Sequence, residues 1–194
     1  TRNPRLPPAY RLVMLEAVDS TNTVARRLAV EEAAADGTLV VAARQEAGRG
    51  RRGNPWESPP GNLYSSMVLR PDCTIAEATQ LSFVAALAVY DMIGSVGPPG
   101  LEAWCKWPND VYIGGGKVAG ILLECEGTAG VPDFVILGIG VNIDSHPQDT
   151  AYAATSLKAE GCGSLEVADV LESLARHFMV WANRWRDDGF APIR

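Results

Sequence analysis

The sequence predicts an α+β fold in which a mixed, largely antiparallel sheet is flanked by helices. Strand-like segments mostly follow one another along the chain, and three long helical segments flank them. Glycine- and proline-containing stretches separate these elements, as turns do. With 194 residues, 47% of them hydrophobic, the chain has the size and composition of one globular domain, which we expect to cover residues 1–194.

The first half of the chain predicts two strands around a helix, followed by a third strand. Residues 11–18 (RLVMLEAV) and 38–45 (TLVVAARQ) are typical strand segments, and the second ends at a glycine-rich stretch. Between them, Asp19 to Thr21 are suited to cap a helix. The apolar stripe of this helix consists of Val24, Ala25, Leu28 and Ala29. Residues 63–71 (LYSSMVLRP) alternate and predict a third strand that ends at Pro71.

The second half predicts a long buried helix, several strands and a final amphipathic helix. The buried helix covers residues 78–96 and is expected to stop at Gly94 or Gly97. The strand segments are AWCKW (103–107), DVYIGGGKVAGILLECEG (110–127) and DFVILGIGVNI (133–143). We expect Gly114 to Gly116 to form a hairpin turn, because glycine supplies positive φ angles. The final helix runs from Leu165 to Asp188.

Composition excludes several classes of protein. The formal net charge is −6 and the pI is about 4.9, so any attraction for phosphate must be local, and we expect no nucleic-acid partner. The four cysteines are far apart without a C-x-x-C pair, which predicts reduced thiols in a cytoplasmic protein. The two histidines, His146 and His177, have no second ligand at metal-binding spacing.

No segment has the pattern of a membrane anchor or a signal peptide. The start, TRNPRLPPAY, is basic and proline-rich and is not followed by an apolar stretch. The longest apolar-rich run, residues 81–93, is shorter than the ~18 residues that a membrane span requires, and it contains Asp91. We therefore expect no association with a membrane.

An arginine- and glycine-rich stretch, GRGRRG, runs from Gly48 to Gly53. Glycine lets backbone N–H groups approach an anion, and guanidinium groups bind phosphate oxygens in pairs. The stretch suits a mobile loop that folds over a charged ligand, although it lacks the G-x-x-x-x-G-K-[ST] pattern of a P-loop. From these residues alone, a solvated surface loop is an alternative, and an RGG-type nucleic-acid segment is a third interpretation.

Two further stretches place polar residues beside turns. KWPND (106–110) presents Lys106, Asn109 and Asp110 around a proline, where Asn and Asp by default cap their own turn. In GKVAGILLE, Lys117 follows the glycine turn and Gly120 leaves room for a ligand or for backbone. A partly buried Lys117 would bind an anion strongly, whereas an exposed one would be an ordinary hairpin charge.

The segment GIGVNID (138–144) places Gly138, Gly140 and Asn142 on alternate positions, and therefore on one face of a strand. Two positions without a side chain, followed by an amide, would form a shallow slot with a polar end. Because glycine destabilises a strand, we expect a reason for Gly138 and Gly140, which is either close packing or the approach of a ligand. Both interpretations stay open at this point.

Taken in order, these stretches resemble the catalytic domain of biotin protein ligases, also called biotin–[acetyl-CoA-carboxylase] ligases. The matching segments are DSTN (19–22), RQEAGRGRRG (44–53), W-x-S-x-x-G-N-L-Y-x-S from Trp56, KWPND, GKVAGIL and GIGVNI. The resemblance implies the α+β fold shared by class II aminoacyl-tRNA synthetases and biotin synthetases. It also implies a ligase that uses ATP and biotin as substrates together with Mg²⁺.

The chemistry implied by the resemblance has two steps. Biotin is activated to biotinyl-5'-AMP with release of pyrophosphate, and the biotinyl group then passes to a lysine of a biotin carboxyl carrier domain of acetyl-CoA carboxylase or a related carboxylase. Because two anions react, cations and N–H groups must offset their repulsion. A cationic loop that closes over the adenylate would do this and would exclude water. We also consider a homodimer.

The resemblance assigns site residues by position. Biotin would be bound by Ser20, Thr21, Asn22, Gln45, Gly120 and Gly138, whose hydroxyl and amide groups suit a ureido ring. ATP and the adenylate would be bound by Arg49, Gly50, Arg51, Arg52, Gly53, Trp56, Lys106, Asn109, Lys117 and Asn142. Lys117, Arg51 and Arg49 would be catalytic, Trp56 would stack near the adenine or ligand ring, and Asp110 would contact Mg²⁺.

The sequence departs from the family pattern at three places. Asn54 stands where many bacterial relatives have another basic residue. Only about ten residues precede the first strand, so we expect no helix-turn-helix and no operator binding. The chain ends six residues after the last helix, at GFAPIR, so we expect the family's C-terminal β-barrel to be missing. The alternative functions are a lipoate or octanoate ligase or transferase of the same fold, and a non-catalytic biotin-binding homologue.

Overall fold

A single seven-stranded sheet forms the centre of the computed structural model, which describes residues 2–148, 150 and 152–193. Its strands are β1 (Arg11–Val18), β2 (Thr38–Gln45), β3 (Leu63–Leu69), β4 (Ala103–Lys106), β5 (Asp110–Ile113), β6 (Gly116–Thr128) and β7 (Val131–Val141). Their spatial order is β1-β2-β3-β7-β6-β5-β4. Only β1 and β2 are parallel, which confirms the predicted mixed, largely antiparallel sheet.

Helices cover both faces of the sheet. They are α1 (Thr21–Glu31), α2 (Ile75–Ala78), α3 (Leu81–Val96) and α4 (Val167–Asp188). Helix α1 packs on one face over a small apolar cluster that includes Val40, Val68 and Ile136. Helices α3 and α4 pack on the other face and on each other, and they bury the larger core. This arrangement is the predicted α+β fold of a sheet flanked by helices.

Several predicted boundaries differ from the structure for local reasons. The helix predicted at 78–96 begins at Leu81 in α3, and Ala78 belongs to the separate short helix α2, whose start is set by a capping box of Thr74 and Glu77. Gly94 lies inside α3, and Gly97 ends it. In the hairpin turn only Gly114 and Gly115 have positive φ angles, so two glycines suffice for the turn.

The segment Ile75–Val96 is long and apolar enough to cross a membrane by length and composition, with 22 residues and a mean hydropathy of 1.3. This length exceeds the run considered from the sequence, because α2 extends it towards the N-terminus. In the fold, α3 places Val84, Ala88, Val89 and Met92 in the core, each 0% exposed. The segment is therefore accounted for as the core helix of the domain.

The four cysteines form no disulfide with one another, as expected from their spacing. Burial raises the pKa of each thiol, at Cys73, Cys105, Cys125 and Cys162. The thiols therefore stay protonated at neutral pH, which is the unreactive form of cysteine.

Candidate active site

The site begins with a slot on the face of the sheet, where two glycines lie opposite each other. Gly120 of β6 pairs directly with Gly140 of β7, and Gly138 lies two residues before Gly140 on the same face. Because neither Gly120 nor Gly140 carries a side chain, the sheet has a depression here. The sequence predicted a slot from Gly138 and Gly140, which both line the cavity, but Asn142, its predicted polar end, does not.

The indole ring of Trp56 fills this slot. A Cβ atom on Gly140 would lie 2.7 Å from Trp56 Nε1, and one on Gly120 would lie 2.9 Å from Trp56 Cζ3, so any larger residue would collide with the ring. The cavity that remains has a volume of about 50 Å³. Small-molecule sites usually measure ~300–1,000 Å³, so the ring must move to admit a vitamin-sized ligand.

The position of the Trp56 ring leaves its N–H group unsatisfied. Nε1 is buried and has no hydrogen-bond partner among the described residues. A buried donor without a partner costs roughly 1–3 kcal/mol, which lowers the free energy needed to displace the ring. The slot is therefore filled by a side chain whose one polar group is left without a protein partner there, within the described part of the chain.

One end of the cavity is a network of hydroxyl and amide groups. The backbone N–H of Thr21 donates to Gln45 Oε1 at 2.8 Å, and Gln45 Nε2 donates to Ser58 Oγ at 2.9 Å. Ser66 Oγ lies 2.7 Å from Thr21 Oγ1. Ser20, the residue that precedes α1, is 4% exposed and also lines the cavity. The predicted polar residues therefore converge, and they offer donors and acceptors to a compact polar ring.

Asn22 explains why position 138 is a glycine. The Asn22 amide lies over Gly138, and a Cβ on this glycine would collide with Asn22 Oδ1. The amide is fixed on both sides, because Ser66 Oγ donates to Oδ1 at 2.5 Å and Nδ2 donates to Glu124 Oε2 at 2.7 Å. Gly138 thus makes room for a side chain of the site, in addition to bordering the cavity.

The GRGRRG stretch forms a small hairpin over the cavity, which we call the arginine flap (residues 48–56). Arg49 pairs with Pro55 in an isolated bridge, and the Gly50 N–H donates to Asn54 O at 2.7 Å. The Trp56 N–H donates to Gly48 O at 2.9 Å. At the tip, Arg52 has a φ angle of 58° and Gly53 one of 76°, which turns the chain back. The flap therefore carries Trp56 at its base.

Two arginines of the flap turn towards the site. Arg51 donates from Nη1 to Asn109 Oδ1 at 2.9 Å, and Arg49 Nη2 lies 3.4 Å from Glu124 Oε1. Asn109 is itself held by β6, because its Nδ2 donates to Ile121 O at 2.9 Å. Among the described residues Arg51 has no carboxylate partner, so its charge is the least compensated in the site. The two arginines therefore attach the flap to the sheet while residues 51–55 are exposed, and the role of the flap as a lid stays a prediction.

Lys117 lies at the other side of the slot and is partly buried. Its Nζ atom lies 2.8 Å from Asp110 Oδ1, and the two side chains are 25% and 22% exposed. The same ammonium group sits 5.2 Å from the centre of the Trp56 ring, at cation–π distance. Lys117 is therefore partly buried and paired rather than an exposed hairpin charge, and its binding of an anionic ligand stays a prediction.

Several residues assigned by resemblance lie outside the cavity. Asn142 is 3% exposed and donates to Thr155 O at 3.0 Å, so it fixes the loop that follows β7 beside the Lys117 backbone. Lys106 points to Tyr112 and Tyr152, with ring distances of 5.0 and 5.3 Å. Arg52 and Gly53 are exposed at the flap tip. Roles of these residues in ligand binding stay predictions.

Asp110 is engaged by Lys117, and no group of three or more His, Cys, Asp or Glu residues gathers around it within the described residues. One carboxylate beside a phosphate site is nevertheless a common arrangement for Mg²⁺, which keeps several waters and takes the rest of its ligands from the substrate. The assignment of Asp110 to Mg²⁺ stays a prediction.

The structure adds site residues that sequence analysis did not single out. Ser66 and Tyr64 line or support the cavity from β3, and Ser58 orients Gln45. Glu124 on β6 contacts both Asn22 and Arg49. Ser58, Tyr64 and Ser66 are all fixed positions of the W-x-S-x-x-G-N-L-Y-x-S segment, so that motif held the signal. Tyr64 is buried, which raises its pKa to about 12.

Similarity to known proteins identifies the family of the chain. The family model described as the biotin/lipoate A/B protein ligase family matches residues 55–194. The chain belongs to this family. A biotin–[acetyl-CoA-carboxylase] ligase from Paracoccus denitrificans is 42% identical over 186 residues, which are 93% of this chain and 77% of the relative. The resemblance to biotin protein ligases is thereby confirmed.

Solved structures agree with this family assignment. A biotin protein ligase from Aquifex aeolicus, in complex with biotin and ATP, superposes with a TM-score of 0.79 at 31% identity, over 94% of this chain and 74% of that one. This match confirms the predicted fold class. Some members of the biotin/lipoate ligase family are longer: the chain spans 57% of the bifunctional ligase/repressor BirA of Bacillus spizizenii, to which it is 36% identical over 191 residues.

Proposed function

We propose that this chain is a biotin–protein ligase, which joins biotin to the α-phosphate of ATP and transfers the biotinyl group to a protein lysine. The observation that supports this proposal most strongly is the layout of the site. A polar network around Gln45 and Thr21 lies at one end, two opposed glycines form a slot, and Arg51 and Lys117 lie at the far end. A molecule with a polar ring, an apolar body and a carboxylate matches this order.

The polar end would bind the ureido head of biotin. A ureido ring offers two N–H donors and one carbonyl acceptor, and the hydroxyls of Ser20 and Thr21 and the amide of Gln45 supply both kinds of partner. In the free protein Thr21 donates to Gln45 Oε1 through both its N–H and its hydroxyl, so a ligand would exchange those bonds for its own. The apolar body would then lie along Leu122, which lines the cavity and follows Gly120 by two residues on the same face of β6.

Activation requires that two anions approach each other. The carboxylate oxygen of biotin attacks the α-phosphorus of ATP, the bond to the bridging oxygen breaks, and pyrophosphate leaves with the electron pair. Arg51, which has no carboxylate partner among the described residues, and Lys117 would offset the negative charge that gathers on the α-phosphate. We assign Lys117 and Arg51 to the transition state, with Arg49 in support.

Mg²⁺ would accompany ATP and neutralise its triphosphate. Asp110, whose carboxylate lies beside Lys117, would contact the ion, and Asn109 offers an amide oxygen nearby. Because Asp110 lies against Lys117, the arrival of a nucleotide would separate this ion pair and make both charges available. The Mg²⁺ ion would then lie beside the negative charge of Asp110, and the triphosphate beside the positive charge of Lys117.

The arginine flap would protect the mixed anhydride from water until transfer. The flap lies against Asn109 on one side and Glu124 on the other, and it carries Trp56 at its base. An indole that leaves the slot can stack on the nucleotide base or the ligand ring, as the family resemblance predicts. Closure of such a lid excludes water from reactive intermediates in many enzymes.

In the second step, the amine of a lysine attacks the acyl carbon of biotinyl-5'-AMP, AMP leaves, and an amide bond forms. We propose that the lysine belongs to a biotin carboxyl carrier domain of acetyl-CoA carboxylase or a related carboxylase, since the Paracoccus relative is named for acetyl-CoA carboxylase. A cytoplasmic location and a homodimer complete the proposal. Analytical ultracentrifugation of the purified chain tests the homodimer.

The test of the proposed function is biotin-dependent exchange of labelled pyrophosphate into ATP, measured with biotin and with lipoate in parallel. We expect exchange with biotin and Mg²⁺ and none with lipoate. Exchange with lipoate alone would replace the proposal by a lipoate ligase of the same fold. Tight calorimetric binding of biotin without exchange would instead identify a binding-only homologue.

A further inference from the structure

Glu124 lies between two parts of the site that are distant in sequence. Its Oε2 atom accepts from Asn22 Nδ2 at 2.7 Å, and its Oε1 atom lies 3.4 Å from Arg49 Nη2. Asn22 belongs to the polar end, on α1, and Arg49 belongs to the arginine flap. One carboxylate on β6 therefore touches both the group that borders the ligand head and the lid that covers the ligand.

The contact with Asn22 sets the orientation of its amide. Asn22 is 3% exposed, and its Oδ1 accepts from Ser66 Oγ while its Nδ2 donates to Glu124. Since a carboxylate accepts and cannot donate, Glu124 requires the nitrogen on its own side. The oxygen is then held over Gly138, next to the hydroxyl network. Without Glu124, a buried amide donor would lack its acceptor.

The contact with Arg49 joins the flap to the sheet. Arg49 begins the hairpin, because it pairs with Pro55 and precedes the Gly50 N–H bond to Asn54. Arg51 joins the flap to the opposite side through Asn109. Glu124 and Asn109 are thus the two attachment points of the arginines that face the site. The attachment through Glu124 is an ion pair, whereas the one through Asn109 is a hydrogen bond to a neutral amide.

We propose that Glu124 is a positioning residue that couples occupancy of the polar end to closure of the arginine flap. This inference rests on the proposed function for the identity of the ligand, biotin. A ligand that shifts Asn22 changes how Glu124 is held, and Glu124 in turn changes the hold on Arg49. The two oxygens of one carboxylate carry the coupling, so the polar end and the flap respond together.

Two substitutions separate the two contacts. Glu124→Gln keeps an acceptor oxygen for Asn22 and removes the charge that attracts Arg49, whereas Glu124→Ala removes both. Glu126→Gln is the matched control, because Glu126 faces the same side of β6 two residues later and pairs with Arg26 on α1, outside the site. Thermal unfolding of each variant checks that the fold is retained.

The first measurement needs no ligand. Hydrogen exchange of the flap amides Gly50, Asn54 and Trp56 reports how often the flap opens. Exposed ion pairs contribute little, so we expect exchange about two- to fivefold faster in Glu124→Gln and in Glu124→Ala, and unchanged in Glu126→Gln. In a double-mutant cycle, Arg49→Gln should add nothing to Glu124→Gln. Wild-type exchange in both Glu124 variants would overturn the inference.

The second measurement uses biotin and biotinyl-5'-AMP. Glu124→Ala should raise the Kd for biotin about tenfold because a buried amide loses its partner, while Glu124→Gln should change it less than about twofold. Both variants should release the adenylate faster. Equal Kd values for the two variants would remove the Asn22 half of the inference. If the wild-type chain does not bind biotin, the proposed function fails. The hydrogen-exchange measurement would still test the contact between Glu124 and Arg49, because it needs no ligand.

Discussion

Lys117 Nζ lies 2.8 Å from Asp110 Oδ1, at the end of the slot opposite the polar network. Both side chains are largely shielded from water, with 25% and 22% exposure. The pair holds one charge of each sign in place before any nucleotide arrives. This geometry makes Lys117 available to an α-phosphate once Asp110 is drawn to a cation, and it allows the role of the lysine to be tested.

Replacing Lys117 tests its role in transition-state charge. Lys117→Ala should reduce the rate of biotin-dependent pyrophosphate exchange by about 100-fold or more, since removal of one oriented donor from a developing charge commonly costs that much. Calorimetry should still detect biotin, because the polar end is unchanged. Wild-type exchange in a variant whose thermal unfolding is normal would refute the assignment of Lys117.

Replacing Arg51 tests the flap as a lid for the adenylate. Arg51→Gly removes the bond to Asn109 and the cation without a carboxylate partner, so biotinyl-5'-AMP should dissociate at least about tenfold faster. The released adenylate should then label lysines of bystander proteins. Arg52→Gly is the comparison: Arg52 lies at the exposed tip of the flap, and we expect a smaller effect. Equal retention in wild type and Arg51→Gly would contradict the lid.

The position of Trp56 predicts a spectroscopic signal. Because the indole must leave the slot between Gly120 and Gly140, addition of biotin should shift the tryptophan emission of the wild-type chain. The shift should be absent in Trp56→Phe and retained in Trp107→Phe, whose indole is 76% exposed and does not line the cavity. A full shift in the Trp56→Phe variant would assign the signal to another tryptophan and leave displacement of the ring unsupported.

Tyr64 predicts a loss of stability at alkaline pH. Its hydroxyl donates to Pro59 O at 2.7 Å, and burial raises its pKa to about 12. Up to pH 10 the phenol is protonated in both the folded and the unfolded chain. Between pH 10 and 12 only the unfolded chain loses this proton, so the contribution of Tyr64 to the free energy of unfolding should fall by about 1.4 kcal/mol per pH unit.

Tyr64→Phe isolates this contribution in urea unfolding at several pH values. At pH 8 the variant should be less stable by about 1 kcal/mol, because the hydrogen bond to Pro59 is lost. Above pH 10 the difference from wild type should shrink and then change sign below pH 11.5, because the wild-type chain loses stability and phenylalanine has no proton to lose. Parallel stability profiles up to pH 11.5 would show that the pKa of Tyr64 is not raised.

Sequence patterns predicted the fold and much of the site because both follow from local rules. The β-branched segments became strands, and the alternation of Gly138 and Gly140 placed both on one face, where they line the cavity. The flap was visible in the spacing of glycine and arginine. These features depend on residues that are close in sequence, so they can be read from the sequence alone.

Features that depend on side-chain packing across the sheet could not be predicted in this way. Trp56 was expected to stack on a ligand, whereas in the free protein it fills the slot, since an indole occupies the volume that two glycines leave. Lys106 has the charge for a phosphate site, but the alternation of β4 turns it towards Tyr112. Glu124 has an ordinary strand position, and only the approach of α1 and the flap gives it two partners.

The proposed function depends on one arrangement, in which the ureido head lies at the hydroxyl and amide network and the phosphate lies under the flap. A crystal structure of the chain with biotinyl-5'-AMP tests this most directly. We predict that the ring of Trp56 has left Gly140, that Gln45 or Thr21 bonds the ureido group, and that Arg51 and Lys117 contact the phosphate. An adenylate bound elsewhere, with Trp56 still against Gly140 and Arg51 on Asn109, would contradict the account.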